Sequence, residues 1–149
     1  MNTLNKNEKG FTIIEVVLVL AIAGLIFLMV FIALPALQRS QRNTQRTQDL
    51  NRISTQVTTY MSSTRKPAPT DPADFQSKYL IPADEYMDPT GTSYSLISGN
   101  LPGEAGGGQI KMTPSATCDG DTTKPAAPRQ FALQIRLEGQ SVPYCLDNK

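Results

Sequence analysis

KGFTIIEVVLVLAIAGLIFLMVFIALPAL, Lys9 to Leu37, is the stretch on which the fold turns. From Val16 to Leu34 it runs for 19 residues without one charged or polar side chain, with Gly24 the only gap in bulk. As a helix rising ~1.5 Å per residue, the run is ~28 Å long, close to the ~30 Å apolar core of a bilayer. A helix in a soluble core keeps a polar face, and this one has none. The apolar region of a secretory signal is shorter, roughly 7–15 residues, and ends at a small-residue cleavage site. Here the polar sequence after the run reads as more helix, so the expectation is a retained membrane span. Glu15 stands at its mouth, five residues beyond Gly10.

Working outward, the 149 residues allow one modest domain besides the span. Helical character is expected from Phe11 to about Ser63, with a kink near Ile32–Pro35, where proline removes a ladder hydrogen bond. Residues 38–48 are rich in Gln and Arg, after which Leu50, Ile53, Val57, Tyr60 and Met61 recur at helical spacing and mark a face that meets a small core. The prolines of RKPAPTDPADFQ end the helix. A short turn of helix is expected around Ala73–Lys78 and strands over Ser93–Ser98, Gln109–Thr113, Arg129–Glu138 and Ser141–Leu146. In RQFALQIRLE, Phe131, Leu133, Ile135 and Leu137 alternate with Gln134, Arg136 and Glu138, the pattern of a half-buried antiparallel strand that Gly139–Gln140 turns into the last one. PSATCDGDTTKPAAP and GNLPGEAGGG read as turn-rich connections. The fold class is therefore α+β: a long N-terminal helix, transmembrane in its first half, packed on a small antiparallel sheet.

Charge divides the chain. Residues 36–66 carry six basic groups against Asp49 alone, and residues 67–149 carry six against ten acidic groups, so a basic neck precedes an acidic head. There is no histidine, and Cys118 and Cys145 are the only cysteines. They lack metal-site spacing, which leaves a disulfide in an oxidising compartment or two buried thiols, with the disulfide favoured. Asp119 and Asp121 of CDGD are a fragment of a calcium loop without its remaining ligands and read as a turn. No catalytic constellation is arranged by the sequence, and no cofactor or metal site is expected.

KGFTIIE resembles the type IV prepilin cleavage and methylation motif: a short basic leader ending in Gly10, then Phe11, a threonine, two aliphatic residues, Glu15 and the apolar helix. The layout of helix, variable loop, antiparallel sheet and late cysteine in YCLD is similar to that family's head. The resemblance implies a leader of residues 1–10, an assembly helix over 11–35 and an extracytoplasmic head over 36–149. It implies that a membrane-embedded prepilin peptidase cuts between Gly10 and Phe11 and methylates the new Phe11 amine. It places the chain as a single-pass protein of the cytoplasmic membrane, later drawn by assembly machinery into a homo-oligomeric surface filament. The arginines after the span, counted alone, would put that flank in the cytoplasm. The leader motif and the cysteine pair place residues 1–10 there instead.

On this reading Glu15 lies near the cytoplasmic interface in the precursor, and enters an apolar filament core on assembly. The Phe11 ammonium of its own or a neighbouring subunit then pairs with it, a contact whose best-supported use is setting register. Arg39, Arg42 and Arg46 have no aromatic residues among them, so packing against Asp84, Glu85 and Asp88 of neighbours is favoured over nucleic acid. Two other readings remain open. One is a pseudopilin of a type II secretion or DNA-uptake machine, and the other a bitopic membrane protein with a small extracytoplasmic binding head.

Overall fold

The computed structural model describes residues 10–81, 85–103 and 108–149. The leader before Gly10, Asp84 and most of GEAGGG lie outside the described residues. Helix α1 spans Ile13–Thr64 and carries Pro35 within it; α2 spans Pro72–Tyr79. Six strands follow: β1 Ser95–Ile97, β2 Gln109–Pro114, β3 Ala116–Asp119, β4 Thr122–Pro125, β5 Phe131–Ile135 and β6 Tyr144–Asp147. The chain divides into two compact units, residues 1–38 and 39–149.

In the first unit the apolar run is left exposed among the described residues. Every large apolar side chain from Val16 to Leu34 is between 47% and 74% exposed. The second unit has a core into which the α1 stripe of Leu50, Ile53, Val57 and Met61 is fully sunk. It meets Leu96, Ile110, Met112, Phe131, Leu133 and Ile135 from the sheet, so helix and sheet each bury the face the other exposes. Tyr60, Phe75 and Tyr79 close one side with edge and stacked ring contacts at 5.0–5.7 Å.

The main sheet has the order β1-β2-β5-β6. β2–β5 and β5–β6 are antiparallel, whereas β1 pairs with β2 in parallel, so the expected antiparallel sheet is a mixed one. A tight hairpin cannot join parallel neighbours, so β1 and β2 are separated by more than a two-residue turn. The edge is closed by a side chain: Gln76 of α2 donates from Nε2 to the Tyr94 carbonyl (2.6 Å) and accepts the Leu96 amide on Oε1 (2.7 Å). Its amide group thus occupies main-chain groups that an exposed edge would otherwise present to another strand. α2 is held at its start by Asp71, which accepts from the Ala73 and Asp74 amides, with Pro72 in the first turn.

Three expectations about the C-terminal third are corrected. β3 and β4 form a two-stranded hairpin where a turn-rich connection was expected, closed by Gly120 at φ +65° and Asp121. This hairpin lies across the outer face of the main sheet, joined to β6 by the Cys118–Cys145 disulfide, whose Cα atoms are 5.9 Å apart. Asp147 adds a second fastening, accepting from the Thr117 hydroxyl and from the Cys118 amide (2.8 Å). As a result β5 is not half-buried: all five residues from Phe131 to Ile135 are buried, Ala132 and Gln134 under the hairpin. The strand also stops at Ile135, and the connection to β6 takes residues 136–143 rather than a two-residue turn.

Candidate functional site: the helix start and the arginine clamp

The first candidate group is the start of α1. Gly10 and Phe11 are exposed, Phe11 by 90%. Thr12 precedes the first helical residue, and Glu15 sits three positions later. The two side chains cap the helix reciprocally. Glu15 Oε2 accepts from the Thr12 amide and hydroxyl, both at 2.8 Å, and the Thr12 hydroxyl oxygen receives the Glu15 amide at 3.4 Å. This is the capping box, which satisfies main-chain donors that a helix N-terminus leaves unpaired. The carboxylate is also placed where the helix dipole favours negative charge. Only Oε2 is engaged; Oε1 has no partner among the described residues. Glu15 is therefore oriented by its own chain with one oxygen still open. Glu15 lies in the first turn of α1, and the cap it makes was missed in the sequence, although T-x-x-E before an apolar run is its signal.

The second group belongs to the head and revises the expectation for the neck arginines. Arg46 is 1% exposed and makes a forked contact to Asp88, Nε to Oδ1 at 2.6 Å and Nη2 to Oδ2 at 3.0 Å. Its Nη1 donates to Glu138 Oε1 at 2.8 Å. Arg42 grips the same carboxylate through Nε (2.8 Å) and Nη2 (2.6 Å). Asn43 lies between them, accepting the Glu138 amide and donating to the Glu138 carbonyl, both at 2.9 Å. Arg42 and Arg46 thus find their acids in their own chain, not in a neighbour, because one helical turn separates them and aims both at the same loop. Arg52 reaches Glu85 at 3.3 Å on the surface, and Arg39 has no ion pair among the described residues.

The electrostatics follow from burial and pairing. Burial pushes the Asp88 carboxyl up, but hydrogen bonds from Arg46 and Thr90 outweigh it and hold it below the ordinary range. The hydrogen bonds from Arg42, reinforced by Arg46, bring Glu138 down to about 2. Arg46 is raised by its bond to Asp88. Behind the clamp the buried Tyr94 hydroxyl donates to Asp49 Oδ2 at 3.0 Å, and burial and then the neighbouring Asp49 charge raise its pKa. The arrangement locks a helix to two loops. No group of three or more His, Cys, Asp or Glu side chains able to hold a metal ion occurs among the described residues.

Gly10, Phe11 and Glu15 thus sit in one unit, and Cys118 and Cys145 in the other. Residues 5–31 match the prokaryotic N-terminal methylation motif, the signature of type IV pilins and pseudopilins. No curated protein and no solved structure matches the chain significantly. The helix that carries the motif is long and apolar enough to cross a membrane.

Proposed function

From a chain that carries the type IV pilin and pseudopilin signature, we propose a structural subunit of a type IV pilus-like filament, made as a membrane-held precursor. The observation that carries the reading is the contrast within one helix. Leu50, Ile53, Val57 and Met61 are buried by the chain's own sheet, whereas Val16 to Leu34 are left bare. So much exposed apolar surface requires another solvent, first lipid and then the same helix of other subunits. Cleavage between Gly10 and Phe11 leaves the Thr12 amide in place, so the cap survives processing. It also creates a Phe11 ammonium that methylation leaves charged. Glu15 Oε2 stays on its own helix start, and Oε1 is available to an incoming subunit's ammonium. In the apolar interior of a bundle such a pair is worth little over apolar packing, but it penalises every register that leaves either charge alone.

The test is the intact mass of the protein recovered from sheared surface material and from membranes. A chain beginning at methylated Phe11 in the sheared fraction is expected. A chain that begins at Met1 and stays wholly in the membrane would instead support a bitopic anchor with a binding head.

A further inference from the structure

The hairpin β3–β4 covers the outer face of the main sheet only in part. Beside it remains an open groove of about 390 Å³, floored by Lys111, Gln134 and Arg136 and walled by Asn100, the hairpin tip Asp121–Thr123 and Pro143. Its floor follows from strand register. Lys111 and Gln134 are direct partners across β2–β5, on the face opposite the core residues Ile110, Met112, Leu133 and Ile135. Gln134 is only 4% exposed and is held by a 2.7 Å bond from Nε2 to the Asp121 carbonyl. Arg136 is fixed by bonds to the carbonyls of Pro102 (3.1 Å) and Ser141 (2.6 Å).

What distinguishes the groove is its unspent polarity. Among the described residues neither Lys111 nor Arg136 has a carboxylate partner, although the head as a whole is acidic. The side chains of Asn100 and Thr123 and the side-chain Oε1 of Gln134 also make no hydrogen bond among those residues. The one acid in the lining, Asp121, is exposed and contributes its main-chain carbonyl to the Gln134 contact. Two cations set among amide and hydroxyl groups suit a ligand with a carboxylate and several hydroxyls, since each hydroxyl needs both a donor and an acceptor. The groove is within the size range of small-molecule sites. No aromatic ring lines it, which disfavours nucleic-acid bases that would require a stacking surface.

We propose that this groove binds an acidic saccharide, a uronate-type sugar unit, with Lys111 and Arg136 on the carboxylate and Asn100, Thr123 and Gln134 on the hydroxyls. The assignment is independent of the filament reading, because it uses only residues of the head.

The test is calorimetric titration of the full chain in detergent micelles, disulfide intact, with trigalacturonate, maltotriose and inorganic phosphate. Trigalacturonate is expected to bind at least about tenfold more tightly than either of the others. Lys111→Glu should weaken it by about tenfold or more, as loss of one charge-assisted bond implies, and Thr123→Ala severalfold. Lys111→Gln keeps the side-chain stem and serves if the charge reversal fails to fold. No binding of trigalacturonate, equal binding of maltotriose, or full affinity in a correctly folded Lys111 variant would each overturn the proposal. Phosphate binding as tightly as trigalacturonate would reduce the groove to a simple anion site and overturn it equally.

Discussion

Arg46 and Asp88 stand 42 residues apart in sequence, yet their side chains, each 1% exposed, meet through two hydrogen bonds of 2.6 and 3.0 Å. The pair ties the α1 helix to the loop that precedes β1, and Glu138 extends the tie to the loop after β5. A buried pair of this kind adds little net stability over apolar packing, but breaking it from one side strands a charge.

Arg46→Ala is therefore expected to destabilise the head by ~3–5 kcal/mol, because Asp88 is left buried without its guanidinium. Replacing Arg46 and Asp88 together by apolar residues of similar volume should cost much less. Urea unfolding of the disulfide-intact protein measures both. Equal losses for the single and double variants would mean that packing, not charge, sets the cost.

Acid should weaken the head through Glu138. Its folded-state carboxyl lies at about 2 against an ordinary value of 4.5, so the unfolded chain takes up its proton first as pH falls. The stabilisation is complete above about pH 4.5 and is lost between there and about pH 2, at most ~3 kcal/mol for this group. Asp88, also held low, acts in the same direction. Thermal melting at stepwise lower pH checks this, and Glu138→Gln should be less stable at neutral pH with a shallower acid decline. An unchanged decline in that variant would assign the acid sensitivity to other carboxylates.

Reduction of Cys118–Cys145 should cost ~3–4 kcal/mol on the chain-entropy estimate for a separation of 27 residues. The loss should be local. Amide exchange is expected to rise first in β3, β4 and β6 and at Ala132 and Gln134, which the hairpin covers. Asp147 still holds Thr117 and the Cys118 amide, so Asp147→Ala combined with reduction should release the hairpin more fully than either change alone. Peptide mapping without reductant gives the starting state, and two free thiols in the mature protein would contradict it.

Glu15→Gln separates the cap seen at the helix start from the proposed pairing with a neighbour's ammonium. Glutamine still accepts the Thr12 amide, so the cap, membrane insertion and cleavage at Gly10 should persist, while the charge for a neighbour's ammonium is gone. Thr12→Ala does the reverse, weakening the cap and keeping the carboxylate. Sheared filament relative to membrane-held subunit is expected to collapse for Glu15→Gln and to survive for Thr12→Ala. The opposite pattern would make Glu15 a capping residue and nothing more.

The helix, its apolar half and its buried stripe were legible in the sequence because they are local. Periodicity and the length of an uncharged run are properties of neighbouring residues, and so is the motif from Gly10 to Glu15. The α2 turn and the positions of β1, β2, β5 and β6 could be read for the same reason, to within a few residues. What tertiary structure decided were the relations across long separations. The hairpin at Ala116–Pro125 is short and ends in proline, with little apolar pattern of its own, and it exists by lying on a sheet that sequence order does not reveal. Its presence buries Gln134 and turns a half-exposed strand into a covered one. The parallel entry of β1 was likewise invisible, since alternation does not carry strand direction. The partners of Arg42 and Arg46 were misassigned to neighbours because an ion pair depends on where loops return in space. A charge pattern along the chain states that these arginines need acids, and only the fold chooses Asp88 and Glu138.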